Sequence, residues 1–156
     1  MRASSENQIE VVRLLLDNGA DVNKQDSKSA NALIRACLNN HVDMARILLE
    51  NGADMNTETS PDGHTALILV ASMNRIDMTR LLLDNGADRD VQNKDGKTAL
   101  IHACREQHVD AMRVLLENGA DRNIQDRNGH TALMHACFAN HVDVVRLLLD
   151  NGADVN

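Results

Sequence analysis

Residues 144–156 read VVRLLLDNGADVN, and residues 11–23 repeat the same letters without a change. Three looser copies lie between them, at 44–56, 78–90 and 111–123. The glycines that close the copies follow one another at intervals of 33, 34, 33 and 33 residues: Gly19, Gly52, Gly86, Gly119 and Gly152. A period of this length is typical of a stacked array, in which each unit buries its apolar face on its neighbours.

The last unit shows how each repeat is built. Residues 126–130 contain Asn-Gly, which supplies the positive-φ positions of a tight turn. Thr131 follows as the predicted N-cap of a short helix, and Asn140 falls at a bend where asparagine tolerates the left-handed conformation. A longer helix then ends at Gly152, which takes the position just past its last turn. The pattern predicts a turn, a short helix, a bend, a longer helix and a loop in every full unit.

Two short segments carry a family resemblance. Residues 98–103 read TALIHA and residues 131–136 read TALMHA, and both resemble the ankyrin signature T-P-L-H-x-A at the ankyrin period. Alanine replaces the proline, and the histidine falls one place late, so its bracing of the turn is left unassigned. The resemblance implies an all-α ankyrin-repeat solenoid of helix-turn-helix units joined by β-turn or hairpin loops. We expect one domain, 1–156, with a partial repeat at about 1–25 and full repeats at about 26–58, 59–92, 93–125 and 126–156.

Composition argues against several function classes. The net charge is −7, and Phe138 is the single aromatic residue, which disfavours nucleic acid and anionic lipid as partners. Apolar stretches are too short for a membrane span or a signal peptide. Acids and histidines recur in each repeat, and no phosphate loop, nucleophile elbow or H-E-x-x-H motif occurs. We expect a protein that is not an enzyme and needs no cofactor.

Cysteine and histidine positions bear on compartment and metal binding. Cys37, Cys104 and Cys137 occupy equivalent places in three repeats, where we expect buried thiols. Neighbouring repeats stack about 8–10 Å apart, which is too far for a disulfide. This predicts a reducing, intracellular location in the cytoplasm, with the nucleus not excluded. His102 and His135 lie one repeat apart and no C-x-x-C or H-x-x-x-H occurs, so the sequence predicts no metal site. His41, His108 and His141 fall at the bends, where we expect local hydrogen bonds.

The family resemblance implies that a partner protein or peptide docks on the concave face, formed by the turn tips and the exposed side of the short helices. The residues predicted to bind it are Arg35, Leu38, Leu69, Met73, His102, Arg105, His135, Phe138, His64, Lys97 and His130. Basic and apolar side chains dominate this set, which predicts an acidic and apolar partner with Phe138 as an anchor. The alternative is that Phe138 and Leu69 only shield a helix flank.

Other interpretations remain open at this point. The first repeat lacks its turn and no polar capping unit follows the last. We therefore expect ends that are cut from a longer array or that bury apolar faces on another copy. An engineered or structural scaffold with no dedicated partner is the main alternative function. The resemblance also implies asparagine hydroxylation in the loop after the longer helix, at Asn23, Asn56, Asn123 and Asn156.

Overall fold

A computed structural model describes residues 2–5 and 8–155, with the side chains of Arg2 and Ser5 left out. Short helices alternate with longer ones: α1 (Arg2–Ser5), α2 (Ile9–Asp17), α3 (Ala32–Leu38), α4 (Val42–Glu50), α5 (Ala66–Ser72), α6 (Ile76–Asp84), α7 (Ala99–Arg105), α8 (Val109–Glu117), α9 (Ala132–Phe138) and α10 (Val142–Asp150). The described residues contain no β-strand, and the predicted all-α repeat architecture is confirmed.

Side-chain caps define where the short helices begin. The hydroxyl groups of Thr65, Thr98 and Thr131 each accept a hydrogen bond from the backbone N–H three residues later. Asn31 takes the same place before α3 and accepts from Ile34 N at 2.9 Å. These bonds satisfy amides that the first turn of a helix leaves without a partner. The capping role predicted for Thr131 is therefore confirmed, and asparagine performs it in the second repeat.

Left-handed residues end both helices of each repeat. Asn40, Asn74, Gln107 and Asn140 have φ between 54° and 58° at the bend between short and longer helix. Gly152 has φ of 78° after α10, and its N–H donates to Leu149 O at 2.9 Å. The bend between the short and the longer helix reverses the chain within a few residues, so the two helices of one repeat lie against each other.

The core runs through the stack in two parallel layers. Short helices α3, α5, α7 and α9 pack on one another in order, and the longer helices α4, α6, α8 and α10 do the same. Leucine, isoleucine, methionine and small residues fill the space between the layers, with Leu100, Ile101, Met112 and Leu115 at most 1% exposed. No helix in the described ranges is long and apolar enough to span a membrane.

Hydrogen bonds between neighbouring turns hold the tips in register. Ser60 N donates to Lys28 O at 2.9 Å, Lys94 N to Asp62 O at 3.1 Å, and Arg127 N to Asp95 O at 3.0 Å. Since each bond joins adjacent repeats, the tips form a continuous row along one side of the array. This row supports the surface described below.

Two sequence-based expectations are wrong in part. Cys37 and Cys104 are buried, but Cys137 is exposed, because no described helix packs on that side of α9. The bend histidines also bond differently from the local contacts that we expected. His41 Nδ1 lies 3.1 Å from Ser4 O and His108 Nδ1 lies 3.3 Å from Ala71 O, and both acceptors belong to the preceding repeat.

Candidate protein-binding surface

The turn-side surface consists of the turn tips and the flank of the short helices that faces them. Equivalent positions on the stacked short helices form two rows. Arg35 and Leu38 on α3 begin these rows, and His135 and Phe138 on α9 end them. Leu69 on α5 and His102 and Arg105 on α7 continue these rows, Met73 follows α5 directly, and His64, Lys97 and His130 precede the capping residues at the tips. The structure therefore groups the predicted residues on one side of the array.

A side chain on each of α3, α7 and α9 braces the turn that precedes its helix. Arg35 Nε donates to Asp26 Oδ2 at 3.0 Å, and His135 Nε2 donates to Asp126 Oδ2 at 2.9 Å. His102 Nε2 lies 3.2 Å from Asn93 Nδ2. The histidine that falls one place late in the ankyrin-like signature therefore reaches the turn. Its bracing of the turn, which the sequence left unassigned, is present in the structure. At this position α5 carries Leu69, which has no polar group for such a bond.

Hydrogen bonds to Asn93 determine the orientation of its amide group and the protonation state of His102. Asn93 Oδ1 accepts from Asp95 N at 3.0 Å and from Lys97 N at 2.9 Å, so Nδ2 is the atom that faces His102. An amide N–H can only donate, and therefore His102 Nε2 must accept with the ring neutral. Burial lowers the pKa of His102 to about 4, and electrostatic interactions with His64, Arg105 and Lys97 act in the same direction.

The two carboxylates that brace turns are held in their ionised form. The hydrogen bond from Arg35 is the largest influence on Asp26 and lowers the pKa of its carboxyl group. Burial acts to raise the pKa of Asp126, but hydrogen bonds from His130 N, from the His135 side chain and from Asn128 N outweigh it, and the pKa is lowered. Both carboxylates therefore act as charged acceptors at the base of the turn-side surface.

Ring contacts link the tips to the short helices. His64 meets His102 edge to face with ring centroids 5.1 Å apart, across the boundary between two repeats. His130 makes similar contacts with His135 at 5.6 Å and with Phe138 at 5.1 Å. Phe138 nevertheless remains 73% exposed. The single aromatic residue is therefore held in place on one edge and open to solvent on the rest.

Unpaired positive charge collects on the same surface. Lys28, Lys94, Arg105 and Arg127 are exposed, and no carboxylate lies within 4.0 Å of them in the described ranges. Arg35 and Lys97, by contrast, are engaged by Asp26 and Asp95. Sequence reasoning did not separate these two groups, because the partner of each cation is decided by packing.

Asp126, His130 and His135 form a cluster that the sequence did not indicate. Their candidate ligand atoms all lie within 4.8 Å of one another, and the side chain of Asp126 is 0% exposed. Among the four full repeats only the fifth carries all three of these residues, and the spacing D-x3-H-x4-H matches no common metal motif. The cluster could be found from the sequence only by knowing that the short helix faces its own turn.

The loop asparagines join neighbouring repeats. Asn23 Oδ1 accepts from Asp54 N at 2.7 Å, and Asn123 Oδ1 accepts from Asp154 N at 3.0 Å. Asp90 makes the same bond to Asp121 N at 2.9 Å, so a carboxylate serves in place of the amide at this position. Asn56 is exposed, and Asn156 lies outside the described residues. Hydroxylation at these positions stays a prediction.

Apolar residues are also exposed at the two outermost longer helices. Val11, Leu14 and Leu15 of α2 are 46%, 64% and 50% exposed. On α10 the exposed residues are Val142 at 59% and Leu149 at 43%. At the equivalent positions the interior longer helices carry residues that are buried or half-buried.

Comparison with known proteins supports the repeat interpretation. The family model described as ankyrin repeats, in three copies, matches residues 1–93 and again residues 70–156. The two matches together cover the whole chain. A comparison with curated proteins found no match.

Proposed function

Because the chain belongs to the ankyrin repeat family, whose members are generally protein–protein interaction modules and typically not enzymes, we propose that it binds a partner protein or peptide through the turn-side surface. The partner that this surface suits is a segment with acidic side chains around an apolar or aromatic residue. The observation that carries the proposal is Phe138, which is 73% exposed on a surface that also presents unpaired cations.

The charge of this surface opposes that of the chain. The whole protein has a net charge of −7, yet four exposed cations on the turn-side surface lack a carboxylate within 4.0 Å in the described ranges. Asp62, Glu106 and the ionised carboxylate of Asp126 also lie on this surface and offset three of these four charges. An acidic segment would be attracted here and repelled elsewhere, which favours one docking site and increases the association rate.

Rigidity supports the same conclusion. Tip-to-tip backbone bonds, the turn braces and the edge contact of His130 hold the surface residues before a partner arrives. A preorganised surface loses less conformational entropy on binding. Arg105 occupies on α7 the place that Phe138 occupies on α9, and these two helices pack together, so a cation and an aromatic residue hold neighbouring places in one row.

Peptide selection from a random displayed library tests the proposal. We expect selected peptides to combine Asp or Glu with an apolar residue, and fluorescence polarisation then measures their affinity. Phe138→Ala should weaken binding about tenfold or more, as expected for a buried aromatic anchor. Arg105→Glu should weaken it further and reduce its salt dependence.

Arg146→Glu provides the matched control, since Arg146 is an exposed cation on α10 of the same repeat as Phe138 but lies outside the turn-side surface. It should leave affinity unchanged. Selected peptides that bind Phe138→Ala and Arg105→Glu as tightly as the unchanged chain would show that partners dock elsewhere.

One observation favours a second candidate, end-to-end association of copies. The residues of α10 that match Val11, Leu14 and Leu15 are Val144, Leu147 and Leu148, and these are buried at 1%, 8% and 0%. Identical faces therefore already pack in the interior, so α2 of one copy could cover α10 of another in a head-to-tail contact. Light scattering over a concentration range tests this, and a mass of one chain, 17.1 kDa, at every concentration would refute it.

A further inference from the structure

The turn of the fifth repeat brings together three side chains that are common metal ligands. Asp126, His130 and His135 offer one carboxylate oxygen and two imidazole nitrogens, all within 4.8 Å of one another. From this cluster we propose that the protein binds one divalent transition-metal ion, Zn²⁺ in the first instance, at Asp126, His130 and His135.

Asp126 is oriented for this role by its backbone contacts. Its Oδ1 accepts from Asn128 N at 2.9 Å and from His130 N at 3.1 Å, so Oδ2 is left to face the cluster. The side chain is 0% exposed, which prevents it from turning out to solvent. Hydrogen bonds that hold a ligating carboxylate in this way are the usual support around metal ligands.

The separation of the first two ligands already approaches that of a coordinated pair. His135 Nε2 and Asp126 Oδ2 are 2.9 Å apart, and the ion would replace the proton between them. Around a tetrahedral Zn²⁺ with bonds of about 2.0–2.1 Å, two ligand atoms lie about 3.3 Å apart. His130 offers its ligand atom within 4.8 Å of the other two, and its ring is partly exposed at the turn tip, where an ion can reach it.

Comparison among the repeats separates this cluster from the ordinary turn brace. The second repeat braces its turn with Arg35 and Asp26 and has Ala30 where the fifth has His130. The fourth repeat has Asn93, Lys97 and His102 at the three places, so an amide and an ammonium group replace two of the ligands. Bracing therefore needs only two residues, and His130 is not required for it.

The donor set selects the class of ion. Two imidazoles and one carboxylate suit Zn²⁺, Ni²⁺ and Cu²⁺ better than Ca²⁺ or Mg²⁺, which prefer oxygen ligands only. Three protein ligands leave a fourth tetrahedral position for water or for an acceptor group of another molecule, as in open zinc sites. Metal binding at this site does not require a bound peptide, and the titration of the site contains none.

Isothermal titration of the full chain with ZnCl2 tests the site, in a Cys137→Ser background that removes the one exposed thiol as a competing ligand. We expect one ion per chain with a dissociation constant on the order of micromolar. Substituting Co²⁺ should give visible d–d absorption bands with the same stoichiometry.

Two loss variants and one matched control identify the ligands. His130→Ala and Asp126→Asn should each weaken binding at least about tenfold, as the loss of a ligand or its support does. Asp126→Asn keeps the oxygen that accepts from the backbone, as Asn93 does in the fourth repeat, so the turn should stay folded. His64→Ala is the control, because His64 is a tip histidine that contacts another histidine, His102, but has no carboxylate in its cluster; it should bind like the parent chain.

A gain of site completes the test. Asn93→Asp together with Lys97→His copies the donor set of the fifth repeat beside His102, and the stoichiometry should rise from one ion to two. Binding that His130→Ala leaves unchanged, or a double variant that still takes one ion, would overturn the proposal. Weak binding of several ions, lowered equally by His64→Ala and His130→Ala, would show adventitious histidine binding only.

Discussion

Leu15 and Leu148 occupy the same place in two segments of identical sequence, and this allows tertiary burial to be measured on its own. Leu15 is 50% exposed on α2, whereas Leu148 is 0% exposed on α10. Replacing either with alanine removes the same atoms and changes helix propensity by the same amount. Any difference in the cost must then come from what packs around the side chain.

The expected costs follow from the exposures. Leu→Ala removes about three carbons at roughly 0.8 kcal/mol per buried CH2, and a cavity adds to this, which gives about 2.7–5.0 kcal/mol at a buried site such as Leu148. Leu15 loses about half of the transfer contribution and leaves no closed cavity, so its replacement should cost ~1 kcal/mol. The difference should be about 2–4 kcal/mol, which at this chain length is about 4–16 °C in Tm.

Urea denaturation followed by far-UV circular dichroism measures both variants against the unchanged chain. The slope of the free energy of unfolding with urea must stay the same for the comparison to hold, because terminal repeats of an array can unfold separately. Equal costs at the two positions would refute the argument that burial by the neighbouring repeat separates them. A cost at Leu15 that grows with protein concentration would instead indicate that another copy covers α2.

Three further outcomes can be checked. In the native state a maleimide should label Cys137 within minutes, while Cys37, whose thiol pKa burial raises to about 12, should react only on unfolding. The pKa of His102 is lower in the folded than in the unfolded chain, so its contribution to stability is complete above its ordinary pKa of 6.5 and is lost as pH falls towards about 4. Urea titrations should show this loss of stability, and the loss should be smaller in His102→Gln. Asn31→Ala should lower the free energy of unfolding by about 2 kcal/mol or more, and Thr98→Ala by ~1 kcal/mol. The difference arises because the fully buried Asn31 also donates to the second repeat's own loop. Thermal melts of the two variants measure both losses.

Local patterns were enough to predict most of the fold. The capping of α9 by Thr131, the left-handed bend at Asn140 and the glycine after α10 depend on residues within a few positions of each other. Such short-range preferences can be seen directly in a sequence, and the period of the repeat then implies how the units stack. The helix face that carries Arg105 and Phe138 could also be predicted. They lie three residues after His102 and His135, and residues three apart share a helix face.

Contacts between distant residues could not be predicted in the same way. Cys137 follows an alanine at the same place in its repeat as Cys37 and Cys104 do, but only the latter two have a following helix over them. His102 accepts a hydrogen bond whereas His135 donates one, because the residue nine positions earlier is an amide in one repeat and a carboxylate in the other.

The sequence by itself determined that VVRLLLDNGADVN forms a helix followed by a glycine turn, since both copies do so with the same internal hydrogen bonds. Only the tertiary structure decided which leucines of that segment are buried: in one copy Leu15 is half exposed, and in the other Leu148 is fully buried. Helix formation depends on bonds four residues apart, whereas burial depends on which repeat lies on each side. The same difference applies to the cluster of Asp126, His130 and His135, whose members meet because a helix folds back onto its own turn.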